Sequence, residues 1–289
     1  MDRRLLSPML AAAACTSGTP PAGTPAPAGT PAAVYTPGTD GRATPTIRLG
    51  PSTLRYVVQR QLHIEQDVGG QPPVDMAYRL FVTATVVGPS DSTGYPASYT
   101  VDSVVADSGS FIPPTVNLAT ARGLAYRGRL TPAGELQGLV PSDSATAQRL
   151  AQLLGNPRDF YPRIPPGGLR LGADWTDTVS TSEKGPGTEV QVTTITHSTA
   201  VAWDARAGTR ALRVEYSGTG TLAGSGEQGG QPFELSGGGT RSGTEYVAAD
   251  GRFLGGEMRD STGYTVVLPA QGLSVPIRQV LRATVTVLP

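Results

Sequence analysis

Few side chains in this sequence have the type and spacing to do chemistry. Asp174 and Asp177 bracket Trp175, and Glu245 directly precedes Tyr246. Paired carboxylates can divide general-acid and general-base roles, but strand-face charges of this kind are usually solvated, and nothing in the spacing makes any pair converge. The two histidines, His63 and His197, sit in alternating segments at outward or rim-facing positions. Neither has a second ligand at metal spacing, so no metal site is expected. Gly218-Thr-Gly220-Thr-Leu-Ala223 matches a loose dinucleotide fingerprint. The segment that follows, Gly224-Ser-Gly-Glu-Gln-Gly-Gly230, is not the helix N-terminus that would receive a pyrophosphate, and the stretch reads as a Gly-rich strand and turn. No zincin motif, calcium-binding loop or nucleophile elbow is present. The expectation is a protein with no catalytic residues, no cofactor and no metal. A hydrolase is the weakest reading, and it would need two buried carboxylates that face each other across a cleft only once the chain folds.

Trp175, Trp203, Tyr78, Tyr99, Tyr126, Tyr216 and Tyr264 can either line an apolar cavity or fill the core, and each taken singly favours the core. Lys184 is the only lysine among 23 basic residues. The arginines are scattered along the strands, which reads as a compositional bias and not as an anion site.

These side chains must be positioned by strands. After Arg48 the chain alternates with period two: Leu54, Tyr56, Val58, Leu62 and Ile64 share one face, and Arg55, Gln59, Gln61, His63 and Glu65 share the other. Met76 to Val87 repeats the pattern after a Gly/Pro turn. Further strands are predicted near 95–106, 124–130, 134–140, 169–181, 188–202, 209–222, 230–248, 251–259, 262–268 and 276–288, about a dozen in all. Their connections are too short for parallel crossovers, so the pairing should be antiparallel. The pentapeptide Asp-Ser-Thr-Gly-Tyr, at 91–95 and again at 260–264, reads as one turn chemistry used twice before a strand. Two short helices are expected, Pro114 to Arg122 closed by Gly123, and Ser142 as N-cap to Leu154 with Gly155 and Pro157 beyond. The second would present Ala147, Leu150, Ala151 and Leu154 to the sheet. The predicted fold is mainly β, a curved antiparallel sheet or incomplete barrel with one or two short helices, forming a single domain over 48–289.

The 289 residues have zero formal net charge and no basic block, which excludes the footprint of a nucleic-acid binder. Cys15 is the only cysteine, so no internal disulfide can form. Residues 1–14 have a short basic start and an apolar segment ending in small residues, the layout of an export signal. From Thr16 to Pro45 the chain carries seven prolines and an echo, Ala22-Gly-Thr-Pro-Ala26 and Ala28-Gly-Thr-Pro-Ala32. Such a stretch cannot bury enough surface to fold. At about 3.1 Å per residue, thirty residues of extended polyproline reach roughly 90 Å. Residues 15–47 therefore read as a disordered tether.

The run Leu10 to Cys15 resembles the lipobox of bacterial lipoproteins, with Cys15 in the place of the lipidated cysteine. Thr16, where an aspartate accompanies inner-membrane retention in some lipoproteins, implies by that resemblance an outer-membrane anchor. Phe160-Tyr-Pro-Arg-Ile-Pro-Pro-Gly-Gly-Leu-Arg-Leu-Gly172-Ala-Asp-Trp175 and Tyr126-Arg-Gly-Arg-Leu-Thr-Pro-Ala-Gly-Glu-Leu136 resemble stretches of a family of exported bacterial lipoproteins of unknown function. The layout of lipidated N-terminus, curved sheet and short helices is similar to the lipoprotein-carrier half-barrels that shelter acyl chains. These resemblances imply an exported, lipid-anchored, non-enzymatic envelope protein whose partners are a membrane and a possible apolar ligand. The alternative is a structural or protein-binding envelope module without a ligand cavity. Ligand-binding residues and protein partners are not legible in the sequence.

Overall fold

The computed structural model describes residues 46–67, 72–91, 93–113, 116–185, 188–228 and 230–289. Eleven strands form one antiparallel sheet. The first five are β1 (Ser52–Gln66), β2 (Val74–Val86), β3 (Tyr95–Ala106), β4 (Ala125–Leu130) and β5 (Leu136–Pro141). The others are β6 (Asp174–Gly185), β7 (Thr188–Arg206), β8 (Thr209–Gln228), β9 (Gln231–Ala248), β10 (Phe253–Leu268) and β11 (Leu273–Val287). Their order across the sheet is β5-β4-β3-β2-β1-β11-β10-β9-β8-β7-β6. The chain meanders from β1 out to the β5 edge, crosses to the opposite edge, and meanders back until β11 pairs with β1. The pairing is antiparallel throughout, as the alternating pattern and short loops require, and β5 and β6 do not pair with each other, so the sheet is open. It is also curved, because one cavity is lined by Tyr126 of β4 and Leu139 of β5 at one edge and by Asp177 and Val179 of β6 at the other.

The only connection between non-neighbouring strands, β5 to β6, covers the inner face. It contains α1 (Ser144–Leu154), a 3₁₀ turn (Pro157–Asp159) and a strap over residues 160–173. Asp143 caps α1, accepting from the Thr146 backbone N–H at 3.0 Å and from Thr146 Oγ1 at 2.7 Å. The expected cap was one residue earlier; Ser142 Oγ instead accepts from the Ala125 N–H at 3.0 Å. The helix buries Leu150, Leu153 and Leu154. The expected stripe is therefore rotated, with Leu153 turned into the core and Ala151 left exposed. The other expected helix is reduced to a 3₁₀ turn over Leu118–Ala121, capped by Asn117.

Some strands run further than expected, β8 to Gln228 and β7 to Arg206, and two boundaries differ for a clear physical reason. The segments 251–259 and 262–268 are one strand, β10, so Asp-Ser-Thr-Gly-Tyr forms a turn at Asp91 to Gly94 but runs extended at 260–264. Both neighbours, β9 and β11, pair with β10 along that stretch, and two complete ladders override a local turn preference. The strand predicted from 169 begins at Asp174, because Leu169 instead forms an isolated bridge with Ile47.

The strap is pinned by aromatic rings. Phe160 meets Tyr56 at 5.0 Å, Tyr99 at 5.0 Å, Tyr161 at 5.2 Å and Phe253 at 5.7 Å between ring centroids, all edge-on. The Tyr56 hydroxyl donates to the Phe253 carbonyl at 2.9 Å, which ties β1 to β10 beneath the strap.

Candidate functional site

The inner face has an apolar cluster under the strap and a second at the far end of the long strands. The surface between them is not filled. In one row the register places Arg60, Ala283, Met258, Gly243, Tyr216 and Ser198 side by side across β1, β11, β10, β9, β8 and β7. The next row carries Asp260, Arg241, Gly218, Thr196 and Asp177. Glycine also occupies inward positions 220, 237 and 239 on β8 and β9, and the Tyr264 side chain lies against Gly237. A cavity of about 750 Å³ lies between this face and the α1 face that bears Ala147 and Ala151. That size lies within the range of small-molecule sites.

Charges sit in this cavity. Asp260 is 4 % exposed and lies 3.5 Å from Arg241, measured from Oδ1 to Nε and from Oδ2 to Nη2. Burial raises the Asp260 pKa, and the charges of Arg241 and Arg60 oppose the rise. The Tyr216 ring leans over Gly243, where a Cβ would fall 2.5 Å from its hydroxyl. Its phenol is pushed up first by burial and then by the Glu245 carboxylate. Burial pushes the Glu245 carboxyl itself up to about 7, with Arg241 and Arg163 pulling the other way. Arg163, on the strap, is held by Glu135 at 3.4 Å and Asp159 at 3.7 Å.

Arg60 is 9 % exposed and lines the cavity from β1. Its Nη1 donates to the Leu153 carbonyl at 3.3 Å, and the Tyr78 hydroxyl donates to the same oxygen at 2.6 Å. Gly155 ends α1 with φ 69°, and a Cβ there would lie 2.1 Å from Arg60 Nη1. The helix stop and the seat of the guanidinium are thus the same residue.

The raised Glu245 pKa has a consequence for stability. An unfolded glutamate titrates near 4.3, so the folded chain holds this proton to higher pH. Stability must fall as pH rises from that value through about 7, and the loss is complete above it. Glu245→Gln removes the ionisation. It is expected to be more stable than the parent by about 3 kcal/mol at pH 8 and nearly equal to it near pH 4, in urea unfolding. The same difference at both pH values would refute the shift.

Among the residues singled out in the sequence, Glu245, Asp177, Tyr126 and Tyr216 line the cavity. Tyr78, Tyr99, Tyr264 and Trp203 are core, and Trp175 packs at its margin. Asp174 and Asp177 do not act together. Asp174 is on the outer face, paired to His197 at 3.2 Å and accepting from Thr199 Oγ1 at 3.0 Å. His63 is also outward, 2.7 Å from Asp75 and 3.3 Å from Glu65, and those two hydrogen bonds raise its pKa. Asp260 and Glu245 share the cavity, yet Glu245 lies four residues further along β9 than the residue facing Asp260, about 13 Å at strand rise. The Tyr216–Gly243 row lies between. No group of three or more potential metal ligands occurs among the described residues. Cys15 and most of the expected tether lie outside the described residues.

Arg60, Arg241 and Asp260 were not anticipated. The available signal was phase: Arg60 falls between Val58 and Leu62 on the apolar face of β1. Asp260 was concealed by the turn expected at 260–264.

The fold and site define an open antiparallel sheet enclosing a polar-floored cavity under a helical crossover. No family model and no curated protein matches the chain. Among solved structures it aligns with DynF from the dynemicin biosynthesis pathway of Micromonospora chersina at 11% identity, over 89% of this chain and 92% of that one, with a TM-score of 0.22. It aligns with OccK2 (OpdF) of Pseudomonas aeruginosa at 10% identity, over 82% and 98%, TM-score 0.28. A LolA superfamily protein of Nitrosomonas europaea aligns at 12% identity, over 84% and 89%, TM-score 0.20. Scores of this size define no common fold, and nothing about function is transferred from them.

Proposed function

We propose that this chain is a non-enzymatic, lipid-anchored protein of the bacterial envelope that shelters a hydrophobic ligand between the inner face of its sheet and α1. The observation that carries the ligand reading is the cavity of about 750 Å³ between the inner face of the sheet and α1. A purely structural module gains nothing from leaving this much inner face unpacked, since an unfilled interior forfeits the contacts that stabilise a core. The anchor reading rests on Cys15, followed by the proline-rich stretch that can carry the domain away from a membrane surface.

Mass spectrometry of the full chain extracted from membranes of a Gram-negative host tests both parts. Under denaturing conditions the expected species begins at Cys15 and carries acyl mass. Under native conditions it carries a further non-covalent adduct of several hundred daltons. A chain that retains residues 1–14 and no acyl group contradicts the anchor. A chain that has no adduct and does not take up a neutral apolar dye contradicts the cavity function.

A further inference from the structure

The cavity is not uniformly apolar, and its polarity is ordered along the strands. Towards the far end the lining is Val179, Val190, Val192 and Leu222, with Ser180, Thr181 and Ser182 along the β6 edge. Towards the strap it is Arg60, Arg241, Asp260, Tyr216 and Glu245. From Ser198 in the polar row to Val190 in the apolar end is eight residues of β7, about 26 Å at strand rise.

The cations at the polar end are not equivalent. Arg241 is level with Asp260 and paired to it. Arg163 is held between Glu135 and Asp159. Arg158, on the 3₁₀ turn, also lines the cavity but is exposed to solvent. Arg60 forms no ion pair with a carboxylate among the described residues, and its one protein hydrogen bond there, from Nη1, goes to a backbone carbonyl. A guanidinium keeps its charge at any physiological pH and offers donors in a planar fork. A cation so nearly buried, lining an otherwise accommodating cavity, is a costly feature unless an anion reaches it. The carboxylates that also line the cavity are already placed: Asp159 beside Arg163, Asp260 beside Arg241, Asp177 across the floor on β6, and Glu245 three strands from Arg60 on β9, one row nearer the strap.

We propose that the ligand is a single-chain anionic amphiphile whose oxyanion head, a carboxylate or a phosphate monoester, is received by Arg60, with its hydrocarbon tail laid over Val192, Leu222 and Val190. This rests on the ligand-binding reading above and specifies its chemistry.

The test is displacement of N-phenyl-1-naphthylamine from the full chain by four amphiphiles with the same dodecyl tail: laurate, dodecyl phosphate, 1-dodecanol and dodecyltrimethylammonium. Laurate or dodecyl phosphate is expected to displace the dye at a concentration about tenfold below that of 1-dodecanol, the size expected for one charge-assisted contact. Which of the two acts at the lower concentration identifies the head group. Arg60→Gln is expected to abolish that preference while leaving displacement by 1-dodecanol unchanged, and Arg60→Lys to restore part of it. Equal displacement by 1-dodecanol and both anions, or stronger displacement by the ammonium, overturns the anionic head and leaves the cavity reading intact. Dye uptake by the parent chain with no displacement by any of the four overturns the amphiphile class, and no dye uptake at all removes the cavity reading with it. Should Arg60→Gln fail to fold, the head-group series on the parent chain still decides.

Discussion

Phe160→Ala is expected to lower the unfolding free energy by about 2–3 kcal/mol, below most of the range for a fully buried aromatic because the ring is half-buried against the core. Phe160 is the first residue of the strap, and its ring is met edge-on by Tyr56, Tyr99, Tyr161 and Phe253. Those four come from β1, β3, the strap itself and β10, so the ring joins strands that have no ladder in common. Removing it leaves a void that the surrounding rings cannot close without giving up their own edge-on geometry. The same change should weaken ligand retention, because the strap and α1 together form the wall opposite the sheet. Urea unfolding followed by tyrosine fluorescence measures the first effect. A loss below about 1 kcal/mol would mean that the ring cluster does not hold the strap.

Gly134→Val is the second large effect. Gly134 lies in the β4–β5 turn with φ 86°, and a Cβ there would fall 1.9 Å from the Pro162 carbonyl oxygen of the strap. The turn is the strap's socket: the Ile164 N–H donates to the Ala133 carbonyl at 3.0 Å, and Glu135 holds Arg163. A β-branched residue meets a left-handed backbone and a backbone oxygen at once. The expected loss is about 2–4 kcal/mol, of which about 1–2 is the conformation alone. Gly138→Val separates the two parts, because Gly138 has φ 61° with nothing within 4 Å of its added Cβ. It should cost only the conformational share. Equal losses at the two positions would show that Pro162 does not rest on Gly134.

Much of the architecture was legible because it follows from one periodicity. The alternation in β1 and β2, and turns too short for crossovers, are enough to give a curved antiparallel sheet with few helices. The error at 260–264 has a physical cause, since the Asp-Ser-Thr-Gly-Tyr segment has the same local preferences at both of its positions and only the strands beside it decide the outcome. The site was far less legible. Glu245 and Tyr216 were noticed for their chemistry, but their meeting with Arg241, Asp260 and Arg60 depends on register across β1, β11, β10, β9 and β8. That is long-range information that no local pattern carries. The arginines were dismissed as a group because they are scattered along the strands, whereas Arg60 is set apart by its phase on the apolar face of β1.

The central claim, that the space over β7, β8 and β9 is a ligand site, is tested most directly by filling it. Thr194 lines the cavity, level with Gly220 of β8, and Thr194→Trp places an indole in that space. Binding of N-phenyl-1-naphthylamine to the full chain should show one saturable site in the parent, and that site should be lost in Thr194→Trp while the far-ultraviolet circular dichroism stays the same. Undiminished dye binding by a folded Thr194→Trp, or a parent chain that takes up no dye, would contradict it.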